Sequence, residues 1–356
     1  MAGLLETITE LSHEFGTAEY VQGGGGNTSC KNADTLWVKP SGTTLAGLRA
    51  ETFVEMDRSR LGRLFQLAVP QDKAARESLV KEVMAAAVKS GGAGRPSVEA
   101  PLHDVLGGTY VVHTHPMLVN GLTCSREAEA ACRRLFPDAL WVPYVDPGYT
   151  LCMDVHRRIQ DYRIREGREP GLLLLENHGV FVSGQTAQEV RETYGRVMKA
   201  LRGQYAAAGV AMELTLGQPG SAGAIEAIEV QLRSWLGTEA AGVVHSAPFK
   251  VAEGPLSPDH IVYSKSYSYN GPLTREGLDV FRARHGYSPR VLATPAAVFG
   301  LGASIKQAQL ALELARDGAL VLQLAEAFGG QRYLDGAARE FIENWEVESY
   351  RSKQMA

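Results

Sequence analysis

The sequence predicts an α/β protein in two parts, and three observations carry that expectation. Short apolar runs of strand character, such as "TYVVHTH" and "LLLLENHGVFVSG", alternate with stretches whose apolar residues recur at helical spacing. A Gly-, Pro- and Ser-rich break, "LGQPGSAGA" at 216–224, separates a longer first part, 1–215, from a smaller second part, 216–356. The 356 residues also exceed what one small core organises.

Taken in order, "GLLETITELSHEFG" has helical spacing and stops at Gly16. A glycine cluster, "QGGGGNTSCK", follows. "TLWVKPSGTTL" is expected to hold a strand over Leu36–Lys39 that ends at its Pro-Ser-Gly turn. "DKAARESLVKEVMAAAV" is helical in pattern, and "GRPSVEAPLHDVLGG" reads as a loop passing into a short helix. "TYVVHTH", "ALWVPYV" and "LLLLENHGVFVSG" read as strands, and "TAQEVRETYGRVMKALRGQYAAAG" as a helix. In the second part "AIEAIEVQLRSWLG" and "SIKQAQLALELARDGALVLQLAEAF" are helical, while "HIVYSKSY" and "RVLATPAAVFGLG" are strand-like. No internal repeat is evident.

Composition excludes several classes of function. With 45% apolar and 21% charged residues the chain is an ordinary globular protein. A net charge of −4 carries no basic footprint, so nucleic acid is not an expected partner. No apolar run approaches the ~20 residues that span a bilayer, so no membrane is expected either. The start, "MAGLLETITELSHEF", lacks the basic beginning and apolar centre of a signal peptide, and a cytoplasmic location is expected. Cys30, Cys124, Cys132 and Cys152 form no CxxC pair and read as free thiols. Cys124 and Cys132 are better taken as small buried hydrophobes than as metal ligands.

The chemistry-bearing signal begins with "VVHTHP". Residues i and i+2 of a strand share a face, which would set His113 and His115 side by side, close enough for one metal ion. His178, in "LLLLENHGVF", follows a run typical of a buried strand and adjoins Gly179, where the backbone can turn. An imidazole there is either a core histidine bonded to a backbone carbonyl or a ligand. Three histidines at strand ends favour zinc or a similar divalent ion, because three imidazoles and an open position make a catalytic zinc arrangement. Glu99, in "RPSVEAPLH", is either an acid favoured in the first turn of a helix or a fourth functional group. His103 shares its helix face, with a supporting hydrogen bond as the expected role. "GGGGNTS" and "KPSGTT" suit phosphate oxygens: glycine permits close approach, backbone N–H groups donate, and Asn27, Ser41, Thr43 and Ser97 add side-chain donors. Lys39 adds charge.

Taken together, "GGGGNTSCK", "WVKPSGTTL", "RPSVEAPLH", "VVHTHP" and "ENHGVFVSG" resemble the class II aldolase/adducin family. The resemblance implies a three-layer α/β/α domain around a mainly antiparallel sheet; the second, smaller α/β domain is expected from the break at 216–224 and the element order beyond it. The resemblance also implies that His113, His115 and His178 bind Zn2+, or another divalent metal such as Mn2+ or Co2+. Glu99 would act as acid/base and could also occupy the metal before substrate arrives. Gly26 and Asn27, Ser41 and Gly42, and Ser97 would hold the phosphate of a sugar phosphate. Where other members place a second hydroxyl after the Ser of "PS", this chain has Val98, so one phosphate contact is missing from the expected set. The implied reaction is cleavage of a ketose 1-phosphate to dihydroxyacetone phosphate and an aldehyde. A sugar-phosphate epimerase or dehydratase on the same residues, and a non-catalytic adducin-like binding protein, are the alternatives. Tyr144 or Tyr149, in "VPYVDPGYT", is either a proton donor to the leaving aldehyde or a tyrosine bonded within the fold. A homo-oligomer is implied as well.

From 245 onward, "APFKVAEGPLSPDHIVYSK" and "EFIENWEVESYRSKQ" resemble the region after the aldolase domain in bifunctional rhamnulose-1-phosphate aldolase/short-chain dehydrogenase proteins. "VFGLGASIKQAQ" lacks the third glycine of a dinucleotide fingerprint, so no nicotinamide cofactor is expected. His245, His260 and His285 read as surface or core histidines.

Overall fold

The computed structural model describes residues 2–67, 70, 72–89 and 94–345. The end of the "EFIENWEVESYRSKQ" segment, from 346, lies outside them. The chain divides into two compact units, Met1–Val119 with Glu129–Ala200, and Asn120–Ala128 with Leu201–Ala356.

In the first unit α1 (Ala2–Glu14) leads into β1 (Asn27–Lys31), β2 (Thr35–Val38) and β3 (Val54–Asp57). Helices α2 (Arg58–Leu61), α3 (Lys73–Ala87) and α4 (Ala100–Val105) precede β4 (Tyr110–Thr114). Then come α5 (Met117–Thr123), which passes into the second unit at Asn120, α6 (Ala128–Leu135), β5 (Leu140–Val142), α7 (Tyr149–Glu166), β6 (Leu172–Leu175), β7 (Gly179–Gly184) and α8 (Ala187–Ala207), which passes into it at Leu201. The seven strands form one sheet in the order β3-β2-β1-β4-β7-β6-β5. Neighbours are antiparallel except β5 and β6.

Both faces are covered, and the side chains of β4, β6 and β7 are buried on both sides almost throughout. On one face Val111, Leu173 and Phe181 pack with Leu102 and Leu106 after α4, and with Val155, Ile159 and Tyr162 of α7. On the other, Ser12 of α1 bonds Thr28 of β1 at 2.7 Å, and Tyr194 of α8 bonds Thr114 of β4 at 2.8 Å. The result is three layers, helix, sheet and helix.

Two segments depart from the sequence reading here. The glycine cluster runs straight into β1, whose Asn-Thr-Ser-Cys-Lys residues are all buried. They carry no apolar alternation because hydrogen bonds, not packing, stabilise them in the sheet. Helix α7 carried no expectation; Gly167 in the left-handed region ends it.

The second unit holds α9 (Ala222–Leu236), β8 (Gly242–Ser246), α10 (Pro258–Ser264), α11 (Arg275–His285), β9 (Val291–Ala293), β10 (Val298–Gly302), α12 (Ile305–Ala325) and α13 (Gly336–Glu343). Its sheet has the order β8-β10-β9 and is antiparallel throughout. The strand expected at "HIVYSKSY" is a helix up to Ser264. Ser257 sits at the N-cap and Pro258 in the first turn, where its fixed φ favours a helix start. Lys265, at φ +68, ends it.

Candidate metal centre

Strand register brings the site together. In the antiparallel sheet His113 of β4 lies directly opposite Asn27 of β1 and, on its other side, Phe181 of β7. Directly opposed residues share a face, so Asn27, His113 and Phe181 form one row across three strands. Phe181 stacks on the His113 ring, with centroids 3.8 Å apart and planes 8° off parallel. The Nδ1 of His113 lies 2.9 Å from the carbonyl oxygen of Val180. A carbonyl only accepts, so Nδ1 carries the proton and Nε2 presents a lone pair. Burial pushes the His113 imidazole well below its ordinary range, despite Glu99 beside it. The ring is neutral, as a metal ligand must be.

His115 lies one residue past the end of β4, and its backbone N–H donates to the Tyr20 carbonyl at 2.9 Å. Its Nε2 stands 3.0 Å from Nε2 of His113. The sequence reading placed Gly179 at a turn, but the structure gives it another reason. A Cβ there would fall 2.6 Å from Cδ2 of His115 and 2.5 Å from the Thr114 carbonyl oxygen. Gly179 is the space that lets the His115 ring approach.

His178 comes from the tight β6–β7 connection, Glu176-Asn177-His178. Asn177 adopts a positive φ of 53°, which asparagine tolerates better than most residues. The buried Glu176 anchors this connection: its backbone N–H donates to the Val142 carbonyl, and its carboxylate accepts from the Tyr144 N–H at 2.9 Å. The ring centroid of His178 lies 5.1 Å from that of His113 and 5.2 Å from that of His115. One nitrogen from each of the three rings falls within 4.8 Å of the others, and no further trio of His, Cys, Asp or Glu does so among the described residues. Three imidazoles converging on a common point are the donor set of a divalent transition metal, so the residues fit such an ion.

Glu99 sits against this triad at the N-cap of α4. One carboxylate oxygen lies 3.5 Å from Nε2 of His113 and 3.7 Å from Nε2 of His178. The other accepts from the Asn27 amide at 3.1 Å. Burial opposes the charge, and the Asn27 amide that donates to the carboxylate favours it.

The phosphate candidates are arranged around the same row. The Asn27 amide donates to Ser97 Oγ, and Ser97 Oγ accepts from the Glu99 N–H at 3.2 Å. Gly26, at φ +70, passes so close to the His113 carbonyl oxygen that a Cβ would lie 2.9 Å from it. Ser41 and Gly42 (φ +81) lie on the adjoining loop, tied by Ser41 N–H to Arg95 and by Ser97 N–H to Lys39. Thr43 bonds back to Pro40 within that loop at 2.9 Å, and Lys39 is buried. Tyr144 reaches Asp146 at 3.3 Å, and Tyr149 packs against the core beside Leu61 and Met84.

His103 plays the expected supporting part: its Nδ1 pairs with Ser29 Oγ at 2.8 Å, and its backbone carbonyl accepts from Lys31 Nζ at 2.6 Å. Its Nε2 is buried with no partner among the described residues. Ser29, Lys31, Glu176, Phe181 and the Val180 carbonyl carried no expectation. Strand register, which no single sequence displays, assigns Ser29, Lys31, Phe181 and Val180 to the site, and Glu176 belongs to it through the connection that carries His178.

All four cysteines are free and buried. In the second unit His260 is buried between Ser257 Oγ (2.7 Å) and Asp317 (2.9 Å), and His285 packs among Tyr267, Phe281 and Tyr287. His245 is exposed and bonds Glu229 at 2.8 Å.

A sequence model described as "Class II Aldolase and Adducin N-terminal domain" matches residues 6–205, more than half of the chain. The chain belongs to the class II aldolase/adducin family. Among curated proteins, an "Uncharacterized oxidoreductase YuxG" of Bacillus subtilis (strain 168) is 29% identical over 175 residues. That match covers 46% of this chain and 24% of the relative, so the chain spans about a quarter of the relative's length. Among solved structures, the N-terminal class II aldolase domain of a conserved Thermoplasma acidophilum protein is 20% identical, covering 56% of this chain and 92% of that one, at a TM-score of 0.48. An L-fuculose-1-phosphate aldolase from Thermus thermophilus is 16% identical, covering 59% and 96%, at a TM-score of 0.38. Membership rests on the sequence model, not on these superpositions. No helix among the described residues is long and apolar enough to cross a membrane.

Proposed function

We propose that the chain is a divalent-metal-dependent class II aldolase, cleaving a ketose 1-phosphate to dihydroxyacetone phosphate and an aldehyde. The reading assigns catalysis to residues 1–215 and leaves 216–356 as a separate smaller domain. The observation that carries it is the convergence of His113, His115 and His178 with the Glu99 carboxylate held against two of the rings.

His113, His115 and His178 would hold the metal, zinc, manganese or cobalt. When bound, the cation supplies Lewis-acid polarisation of the substrate's carbonyl and adjacent hydroxyl. Glu99 moves the proton to and from carbon, since its carboxylate is aimed at the point where the rings meet. The Asn27 amide fixes one oxygen of Glu99 and leaves the other toward the histidines. The loops at Gly26–Asn27, Ser41–Gly42 and Ser97 hold the phosphate, turning remote binding into orientation of the reacting carbons. A screen of ketose 1-phosphates with metal-loaded protein tests this. Release of dihydroxyacetone phosphate supports it; products that keep all their carbons together would replace cleavage with epimerase or dehydratase chemistry on the same residues.

A further inference from the structure

The second unit repeats the half of the first unit that carries the candidate metal centre. The strand order β4-β7-β6 recurs as β8-β10-β9, antiparallel in both. The register matches residue for residue: His113 faces Phe181 and Thr114 faces Val180, as His245 faces Phe299 and Ser246 faces Val298. Leu173 pairs with Phe181, as Leu292 pairs with Phe299. The strands share their local sequence, "VVHTHP" against "VVHSAP" and "GVFVSGQTAQE" against "AVFGLGASIKQ".

The surrounding elements agree too. Helices α8 and α12 each begin after a gap of two residues from the preceding strand, and each has 21 residues. Both starts carry the same pair of bonds. Glu189 N–H donates to Thr186 and the Glu189 carboxylate accepts from Gln185; Gln307 N–H donates to Ser304 and the Gln307 amide oxygen accepts from Ala303. Upstream, "VEAPLHDVLG" aligns with "IEVQLRSWLG", setting Glu229 at the place of Glu99 and Leu232 at that of Leu102. Core faces correspond: Val111, Leu173 and Phe181 pack with α4 and α7, as Val243, Leu292 and Phe299 pack with α9 and α11. Each copy also sets its helix carboxylate against its strand histidine, on different ring nitrogens: Glu99 at 3.5 Å from Nε2 of His113 and Glu229 at 2.8 Å from Nδ1 of His245.

Against this shared framework, the differences fall on the ligands. His115 is replaced by Ala247. The connection carrying His178 is one residue shorter, with Ala296 in its place. Gly179, the space into which His115 fits, is replaced by Ala297, so the room and the ring have disappeared together.

We propose that residues 227–325 are a second, divergent copy of residues 97–207 that keeps the carboxylate–imidazole pair and has lost its metal. The chain thus carries one metal centre and one vacated counterpart. The loss of metal rests on the metal reading of the first unit; the duplication does not.

The test is Co2+ titration of the full-length, chelator-treated protein, read as bound metal and as the visible bands of tetrahedral cobalt. Wild type takes up about one ion per chain, and H113A/H178A takes up none. In that double-variant background, Ala247→His is combined with replacement of 294–297 by Leu-Glu-Asn-His-Gly, which restores ring, space and connection length. Regain of about one Co2+ with the same bands is the expected result. A variant that keeps the wild-type circular dichroism and melting temperature yet binds none overturns the proposal. Where that variant does not fold, a crystal structure of the wild type decides. Superposing 242–246 and 298–325 on 110–114 and 180–207 must place His245 on His113 and Glu229 on Glu99; a register shifted by one residue overturns the copy. If wild type binds no cobalt, the metal reading fails and the crystal structure alone judges the duplication.

Discussion

His113 and His245 occupy equivalent positions on equivalent strands, yet their surroundings make them different chemical groups. His113 is sealed beneath Phe181 and ringed by His115, His178, Glu99 and Asn27; His245 has 45% of its side chain exposed, with its ring 6.1 Å from that of Phe299. The framework that presents a histidine to a helix carboxylate is common to both units. What the first adds is two more rings, the glycine that admits one of them, and the extra strands β1 to β3, which deliver Asn27 and the loop of Ser41 and Gly42. A strand pair places a ligand, but neighbours supplied from elsewhere make it a centre.

That contrast predicts the largest effect for His113→Ala. Metal content should fall to background and turnover by about a thousandfold or more, since the cation supplies several kcal/mol to the transition state. His245→Ala should leave both unchanged. Equal losses from the two substitutions would erase the distinction between the units.

Glu99→Gln comes next. The bound metal should persist while turnover drops about 10²- to 10⁴-fold, the usual contribution of a positioned acid/base. Glu229→Gln should have no effect on turnover. Full activity in Glu99→Gln would assign proton transfer to another group.

A third test exchanges the residues that control space. Gly179→Ala should weaken metal binding about 10- to 100-fold, as for other changes to groups that orient ligands, because the added methyl meets His115 and the Thr114 carbonyl. Ala297→Gly should leave metal binding alone and cost about 0.5–1 kcal/mol through the freer unfolded chain. Unaltered cobalt affinity in Gly179→Ala would show that the His115 ring does not need that gap.

Much of this was legible in the sequence, for identifiable reasons. The three histidines and Glu99 lie in short, locally distinctive motifs, and the helices with strong apolar periodicity, such as α8 and α12, fall where their spacing predicts. What was not legible depends on pairing. Strand β1 is central and buried but polar, because Asn27, Thr28, Ser29 and Lys31 all bond side chains or carbonyls from other elements. Phe181 and the Val180 carbonyl become partners of His113 only through the β4–β7 register. The proposed internal copy is not legible in the sequence for the same reason: alanines stand where two of the three histidines that mark the motif would be, and the correspondence lies in strand register. The helix at 258–264 was hidden by the opposite effect, where a β-branched "HIV" run outweighed the Ser-Pro start in front of it.

The smallest effect concerns stability, and it too separates the units, because β1 has no counterpart in the second sheet. Lys31 is buried there, and its desolvation, only partly offset by Asp104, pushes the ammonium down to about 7 from an ordinary 10.5. Between those values the unfolded chain holds a proton that the folded chain has released, so stability rises with pH across the window and this contribution is flat below it. The slope from this one group is at most about 1.4 kcal/mol per pH unit. Lys31→Met keeps the length and apolar stem and removes the charge, so the melting temperature of the first unit should respond less to pH between 7 and 9 than in wild type. Lys31 Nζ donates to the His103 carbonyl at the end of the helix that Glu99 begins, so the same variant also asks whether that bond positions Glu99. An unchanged pH slope in Lys31→Met would mean that the lysine stays charged in the folded state, with its proton held by the His103 carbonyl and Asp104.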